Sequence, residues 1–353
     1  MKKRLFLSAY VRTNPGDDMM VLTLLRRYPR QRFFLYCHPR HRAPFRQEKN
    51  VRFICPLFYY ADRLLLRLIK KEPFRLHFRK NATVIQIGGS MYIEPAHFDP
   101  NAAAFQLNPQ FIIGANFGPY KTEAYLNHIC QLLGKTRDVC FRDSYSASMF
   151  AQLSQVRQAP DVLFGYKELP APKPGAGIGI SIIDPSCRPE LKDRAEVYFD
   201  TLAALIDLCS VQNIPVTLLS FCVEEGDDHA LQQIGRRTKS HDYKTFTYNG
   251  DPAALLDTMN GCDCIYATRF HAMILGWLLG KKVLPIIYSG KQKNVLEDLG
   301  YTGNIWDMAD GQPYCPETLL AHGLNSVPIE NTNLLAQQAG GQFIGLDRFF
   351  EAT

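Results

Sequence analysis

Arginine, histidine and lysine side chains follow two apolar runs in the second half of the chain. The run 264–268 is followed at once by Arg269 and His271, and the run 283–287 is followed by Lys291. Arginine offers phosphate and carboxylate a forked pair of donors, and histidine changes its protonation near neutral pH. This spacing predicts an anion site with an acid–base group. The open alternative is that Arg269 pairs with an acid while His271 caps a helix.

Weaker polar signals follow apolar runs in the first half of the chain. Gly89 and Ser90 follow one such run, Asn116 follows the next, and Arg142 follows a third. Glycine lets the backbone approach a ligand closely, and Arg142 is a further anion donor. Each signal taken alone also fits an ordinary turn. Together they indicate a site, because they recur at the same edge of successive strands.

The polar segment 14–18 follows the first apolar run and precedes a predicted helix. Asp17 or Asp18 would supply negative charge to the first turn of that helix, which is the commoner role of an acid there. The position of Asp17 beyond the first strand also makes it a candidate base for a substrate hydroxyl.

Short apolar runs alternate with amphipathic stretches along the whole chain, a pattern typical of repeated βα units and a mainly parallel sheet. The predicted strands are 4–10, 32–37, 51–55, 83–87, 111–115, 139–142, 178–183, 216–221, 245–248, 264–268 and 283–287. The predicted helices are 17–28, 58–71, 120–134, 144–153, 190–212, 227–236, 251–260, 270–279 and 291–299.

A stretch with three prolines and two glycines, 169–177, indicates a linker between domains. We therefore predict an α/β fold with two Rossmann-like lobes, 1–170 and 177–325. The active site is expected in the interlobe cleft, at the carboxyl ends of the strands. A C-terminal helix within 328–353 is expected to pack back on the first lobe.

The formal net charge of +6 is unevenly distributed. Residues 1–80 carry 20 Lys and Arg against 5 Asp and Glu, whereas the remainder carries 20 against 29. A basic first lobe favours anionic partners such as a membrane surface, a nucleotide or a phosphorylated lipid carrier. Nucleic acid is not predicted as a partner, because no recognised nucleic-acid motif accompanies the charge.

The ten cysteines are scattered without zinc-ligand spacing, and the chain contains no run of about 18 apolar residues. These features predict a reduced, cytoplasmic chain with no metal site and no membrane-spanning helix.

Seven short blocks that contain the polar residues above occur in order between residue 14 and about residue 300. They are Asn14-x-Gly16-Asp17, Gly88-Gly89-Ser90, Gly114-x-x-x-Gly118-Pro119, Arg142-Asp143-x-x-Ser146, Pro160-Asp161-x-x-Phe164, Arg269-x-His271 and Tyr288-x-x-Lys291. Each block alone is unspecific, whereas their joint order resembles the polysaccharide pyruvyltransferase family. The chain departs from the family at Ile87, where a third glycine is usual, and at Ser289-Gly290, where Asp-Pro is usual.

Members of that family transfer the carboxyvinyl group of phosphoenolpyruvate to a sugar, in bacterial-type surface polysaccharide biosynthesis. Two neighbouring hydroxyls of the sugar become joined through one carbon as a cyclic pyruvate ketal. The resemblance implies a fold like the two-lobed glycosyltransferase type B arrangement. It also implies that no metal or organic cofactor is needed.

The resemblance suggests a role for each matching residue. His271, as imidazolium, is the predicted proton donor, and Asp17 is the predicted base or orienting group for the acceptor. The predicted phosphoenolpyruvate-binding residues are Arg269, Lys291, Arg142, Gly89 and Ser90. The predicted acceptor-side residues are Asn14, Asp18 and Asn116.

A basic amphipathic stretch, 58–80, lies outside the resemblance. An ordinary core-facing helix with a solvated basic side has the same pattern. The alternative is peripheral contact with the inner face of an anionic membrane, where a sugar acceptor is carried on a polyprenyl diphosphate.

Two other functions stay open at this point. A nucleotide-sugar-dependent glycosyltransferase of the same two-lobed form would also need Arg, Lys and glycine-rich loops around a diphosphate. A sensor or adaptor that only binds an anionic sugar would keep the anion site without the acid, although nothing else in the chain suggests an output domain.

Overall fold

The structure is a computed structural model that describes residues 4–69, 71–80, 82–102, 108–310 and 314–352. The predicted lobes and C-terminal segment also include residues that lie outside this set, namely 1–3, 70, 81, 103–107, 311–313 and 353. The described chain forms two compact units. The first comprises the segment up to Val11, Asp17–Tyr166 and the segment from Asn333 on, and the second comprises Arg12–Gly16 and Lys167–Thr332.

The first unit contains a sheet of seven parallel strands in the order β3-β2-β1-β4-β5-β6-β7. The strands are β1 (Arg4–Ala9), β2 (Phe33–Leu35), β3 (Val51–Phe53), β4 (Ala82–Ile87), β5 (Phe111–Ala115), β6 (Asp138–Phe141) and β7 (Val156–Gln158). The helices between them are α1 (Pro15–Arg27), α2 (Pro56–Ile69), α3 (Pro73–Lys80), α4 (Glu123–Leu133) and α5 (Ser144–Ser148). Every residue of β5 is buried, as expected for a central parallel strand covered on both faces.

The second unit contains six parallel strands in the order β10-β9-β8-β11-β12-β13. The strands are β8 (Ile178–Ser181), β9 (Val216–Ser220), β10 (Lys244–Thr247), β11 (Cys264–Ala267), β12 (Lys282–Ile287) and β13 (Trp306–Asp307). The helices are α6 (Ala195–Val211), α7 (Asp227–Arg237), α8 (Pro252–Asn260), α9 (Phe270–Leu278), α10 (Gly290–Asp298) and α11 (Pro316–Leu324). The apolar run of α9 is buried between its neighbours, which explains why it carries no charged face.

Both sheets have the strand order of a doubly wound Rossmann-like fold, so the predicted α/β fold class is confirmed. The direction of winding reverses between β1 and β4 in the first sheet and between β8 and β11 in the second. In open parallel sheets, ligands bind beyond the carboxyl ends of the strands at this reversal. The loops that follow these four strands are therefore the places where functional side chains are expected.

The eleven predicted strands are all present, with bounds that shift by at most two residues. The prediction missed β7 and β13, because strands of three and two residues are too short to show a periodic pattern. It also missed α11. The predicted helix at 190–212 begins only at Ala195, after two short 3-10 turns.

The segment 328–353, predicted as one helix on the first lobe, belongs to the first unit from Asn333 on but is not a single helix. The chain instead forms α12 (Thr332–Ala339) and α13 (Ile344–Glu351), separated by a 3-10 turn that begins at Gly340 and Gly341. Adjacent glycines interrupt a helix because they lose more backbone entropy than other residues. Of the described helices, none has the length and apolar character needed to cross a bilayer.

Candidate functional site

Arg269 lies between the end of β11 and the start of α9, and other residues of the second unit hold its side chain. Its backbone N–H donates to Ser181 Oγ over 3.1 Å, and its Nε donates to the backbone oxygen of Ile182 over 3.3 Å. Its Nη1 and Nη2 form ion pairs with Glu225 and Asp227, and the side chain is only 7% exposed. The structure therefore shows the pairing of Arg269 with acids that the sequence left open.

Three cations surround Tyr288, the residue that follows β12. The guanidinium carbon of Arg188 lies 5.3 Å from the ring centre, and Nζ of Lys291 lies 5.9 Å from it. Burial by itself would raise the pKa of Tyr288, but the charges of Lys291, Arg188 and Arg269 outweigh it and lower that pKa. The three cations thus favour the ionised form of Tyr288, with Glu225 as the opposing charge.

Glu225 lies among the same cations, just before α7. Arg188 Nη2 donates to Glu225 Oε2 over 3.1 Å, and Asn14 Nδ2 donates to Oε1 over 3.4 Å. Burial would raise the pKa of Glu225, but attraction to Arg269, Arg188 and Lys291 lowers it to about 2. The carboxylate is therefore ionised at neutral pH, and it fixes the two arginines relative to each other.

His271 is the second residue of α9, and its ring lies against the backbone of Gly16. A Cβ atom built on Gly16 would lie 1.7 Å from His271 Nδ1, so only glycine leaves room for the imidazole. The ring of Phe270 meets it edge-on, with 5.2 Å between the ring centres. These contacts position the imidazole while leaving it partly exposed.

Gln292 connects the ends of β11 and β12, and the sequence analysis did not single it out. Its Nε2 donates to the backbone oxygens of Thr268 and Ile286 over 3.0 and 3.2 Å. Its Oε1 accepts the backbone N–H of Tyr288 over 3.1 Å, and the side chain is fully buried. Gln292 therefore holds together the two strand ends that carry Arg269 and Tyr288.

A second histidine, His229 on α7, also lies near the strand ends of this unit. Its Nδ1 is 2.7 Å from Oδ2 of Asp184, and its Nε2 is 2.9 Å from Nε2 of Gln233. Burial would raise the pKa of Asp184, but hydrogen bonds from Ser186, Cys187 and His229 lower it. Sequence reasoning missed this pair, because nothing in the local pattern relates positions 184 and 229.

In the first unit, four of the predicted residues lie together: Arg142, Asn116 and Gly89 are buried, and Ser90 is exposed beside them. Arg142 Nη1 pairs with Oδ2 of Asp161 at 3.0 Å, and the two side chains are 1% and 0% exposed. Arg142 Nη2 donates to Asn116 Oδ1 over 2.7 Å, and the Ser90 hydroxyl lies 3.5 Å from the same oxygen. A Cβ atom on Gly89 would lie 2.5 Å from Arg142 Nη1, so the backbone of the glycine loop lies directly against the guanidinium.

Asp17 and Asp18 lie in the first turn of α1, where an acid suits the positive end of the helix dipole. Asp18 is fully buried and Asp17 is 9% exposed. Asp17 Oδ1 is 3.3 Å from where a Cβ on Gly88 would lie, so Asp17 is next to the loop after β4. Of the predicted acceptor-side residues, Asp18 and Asn116 belong to the first unit, whereas Asn14 belongs to the second.

Comparison with protein families relates the chain to one of them. The sequence model described as polysaccharide pyruvyl transferase matches residues 14–290, which is most of the chain and agrees with the resemblance drawn from the seven blocks. No curated protein matches the chain significantly.

Comparison with solved structures gives matches to sugar-processing proteins. HepE of Anabaena in complex with UDP-glucose has a TM-score of 0.57 at 13% identity, covering 99% of this chain and 100% of that one. A glycosyltransferase of Rickettsia africae has a TM-score of 0.54 at 10% identity, covering 100% and 98%. The UDP-GlcNAc 2-epimerase of Methanocaldococcus jannaschii has a TM-score of 0.57 at 9% identity, covering 100% of both. At these identities the matches show the fold alone, which is the two-lobed glycosyltransferase type B class.

Proposed function

Because the chain belongs to the polysaccharide pyruvyl transferase family, we propose that it transfers the carboxyvinyl group of phosphoenolpyruvate to two hydroxyls of a sugar. The product is a cyclic pyruvate ketal. The observation that carries the proposal is the pair of partly exposed cations, Arg188 and Lys291, over the ring of Tyr288, at the strand ends that also carry His271. Phosphoenolpyruvate has two anionic groups a few ångströms apart, so it requires several cations together with a positioned proton donor.

Lys291 and Arg188 bind the donor's phosphate and carboxylate in this proposal, because both side chains are partly exposed. Arg269 is buried against Glu225 and Asp227, so it adds positive potential and positions Glu225. Arg188 was not among the predicted residues. It lies in the loop after β8, seven residues beyond the end of that strand, and its contacts with Tyr288 and Glu225 reveal it.

In the first unit, the proposal keeps Arg142, Gly89 and Ser90 as the donor-binding group predicted from sequence. The buried Arg142 side chain pairs with Asp161 and donates to Asn116. Its role is therefore to hold the glycine loop in place, while the backbone of that loop and the Ser90 hydroxyl provide the contacts to an anion.

The reaction begins with transfer of a proton from the His271 imidazolium to the methylene carbon of phosphoenolpyruvate. The resulting cation at C2 is attacked by the first sugar hydroxyl, whose proton returns to the imidazole. Phosphate then leaves, and the second hydroxyl attacks C2 and closes the ring, with its proton ending on the phosphate. The sum is phosphoenolpyruvate plus a diol giving a ketal plus hydrogen phosphate.

Asp17 is the proposed group that orients the acceptor hydroxyl for its attack on C2. The support is its position in the first turn of α1 beside the loop after β4, where it is mostly but not completely buried. The positive end of the helix dipole stabilises a negative charge at this position.

Gly16→Ala is expected to lower kcat by about 100-fold, the order expected when a reacting group moves by about 1 Å. The added methyl group would overlap the His271 ring and displace it. The measurement is steady-state phosphate release from phosphoenolpyruvate. Gly340→Ala is the matched control, since a Cβ there meets nothing within 4 Å. Equal rates for both variants would show that the Gly16–His271 contact does not matter for catalysis.

Phosphoenolpyruvate is expected to raise the Tm of the chain, whereas UDP-glucose, the ligand in the HepE structure, is not. A ligand at 100 times its Kd stabilises the native state by about 2.7 kcal/mol, enough for a clear shift. Phosphate release is then measured with acceptors containing galactose, glucose, mannose or N-acetylmannosamine. Stabilisation by UDP-glucose alone, without phosphate release from phosphoenolpyruvate, would instead identify a nucleotide-sugar glycosyltransferase.

A further inference from the structure

Helix α2 of the first unit presents apolar side chains to solvent along one face. Leu57, Tyr60, Leu64 and Leu68 are 74%, 49%, 58% and 69% exposed. Spacings of three and four residues place all four on the same side of a helix. These four residues form what we term the α2 apolar stripe. Ile69, at the end of the helix, is a further 54% exposed.

The opposite face of α2 makes the helix's contacts with the rest of the unit. Asp62 is fully buried and accepts the backbone N–H groups of Phe74 and Arg75 over 2.9 and 2.7 Å, which caps the start of α3. Phe58 packs edge-on against Phe78, with 5.3 Å between the ring centres. The core-facing side of α2 is therefore a different set of residues, and the α2 apolar stripe is a second apolar surface.

Basic side chains border the α2 apolar stripe. Arg63 and Arg67 are exposed on α2, each one residue before a leucine of the stripe, and the exposed Lys71 follows the helix. At the other end, the Tyr60 hydroxyl is 3.3 Å from Nε2 of His38, which is two residues before the exposed Arg40. A positive border therefore extends along the stripe, as in helices that lie in the headgroup region of a membrane.

The acids of this region do not offset that charge at the surface. Residues 1–80 contain five acids, and four of them are at most 9% exposed: Asp17, Asp18, Asp62 and Glu72. The fifth, Glu48, pairs with Arg26 at 2.8 Å. Among the described residues of this region, the exposed charge is accordingly dominated by lysine and arginine.

We propose that α2 lies on an anionic lipid surface, with the α2 apolar stripe among the acyl chains and Arg63, Arg67 and Lys71 at the headgroups. A second copy of the chain fits this surface less well. Two stripes packed face to face would also bring their basic borders together, and like charges repel. The inference does not depend on which donor or sugar the chain uses.

Co-sedimentation of the full chain with vesicles tests this inference. The chain is expected to sediment with vesicles of phosphatidylcholine and phosphatidylglycerol, and not with vesicles of phosphatidylcholine alone. Added salt should weaken the binding, since the Debye length falls to about 3 Å at 1 M. Equal recovery with the two kinds of vesicle would overturn the proposal.

The α2 apolar stripe is tested with the double variant Leu64→Glu/Leu68→Glu, which should reduce vesicle binding at least tenfold. Its fold is expected to be intact because both leucines are exposed, and this is checked by circular dichroism. Val211→Glu is the matched control, since Val211 is 81% exposed on α6 of the second unit, and it should bind as the parent does. Equal binding by the double variant and the parent overturns the inference.

The basic border is tested separately with Arg63→Gln and Arg67→Gln, each expected to weaken binding about fivefold. Size-exclusion chromatography without vesicles tests whether a second copy of the chain covers the α2 apolar stripe instead. A parent chain that is dimeric, and that becomes monomeric on Leu64→Glu/Leu68→Glu, would mean that a second copy covers the stripe and would overturn the lipid proposal.

Discussion

His271→Ala is expected to lower the kcat of pyruvyl transfer by about 10²–10⁴-fold, the usual contribution of one positioned general acid. The effect should fall on kcat and not on donor affinity, because the anionic groups of phosphoenolpyruvate are held by Arg188 and Lys291 in the proposed site. Phosphate release gives kcat and KM, and calorimetric titration with phosphoenolpyruvate gives the donor's Kd.

His229→Ala is the comparison that makes this test specific. His229 belongs to the same unit and is held by Asp184 and Gln233, yet it has no role in the proposed mechanism. Its replacement should change kcat by less than about tenfold, well below the loss expected for a general acid. A larger loss of kcat in His229→Ala than in His271→Ala would identify His229 as the proton donor. Full activity in both variants would mean that neither histidine is the proton donor.

Arg269→Met is expected to destabilise the chain by about 3–5 kcal/mol, the cost of leaving the buried carboxylate of Asp227 without its cation. Asp227 is completely buried, and Arg269 is the ion-pair partner that the structure places beside it. Methionine keeps an unbranched, apolar stem of similar reach, so the loss reports mainly on the missing charge. Scanning calorimetry measures the Tm, and enzyme assays below the lowered Tm show whether the remaining folded protein is active.

Arg188→Met is the matched control for the loss of an arginine. Arg188 contacts the same Oε2 of Glu225, but its side chain is 25% exposed, and a partly solvated ion pair contributes about 0–1 kcal/mol. The control should therefore keep its Tm and show a raised KM for phosphoenolpyruvate. If Arg269→Met had the same Tm as Arg188→Met, the ion pairs of Arg269 with Glu225 and Asp227 would not contribute to the stability of the chain.

The positions of the strands and helices follow largely from local sequence. Runs such as 111–115 and 264–267 are apolar throughout, and both become buried central strands. The edge strand β13, with two residues, has no such run and could not be predicted. Helix α2 shows another limit of a local pattern, since its amphipathic sequence does not reveal that a second apolar face is left exposed.

The amino-acid sequence by itself determined the parallel α/β class and the strand ends that carry Arg269, His271 and Lys291. Periodicity and residue type are local properties, and the carboxyl ends of parallel strands always meet at one edge of a sheet. Only the tertiary structure decided the partners at that edge. Arg269 pairs with acids 42 and 44 residues away, and His271 fits against Gly16 from the other end of the chain. Such contacts depend on the crossover that places β11 beside β8. A local sequence pattern does not predict which strands become neighbours.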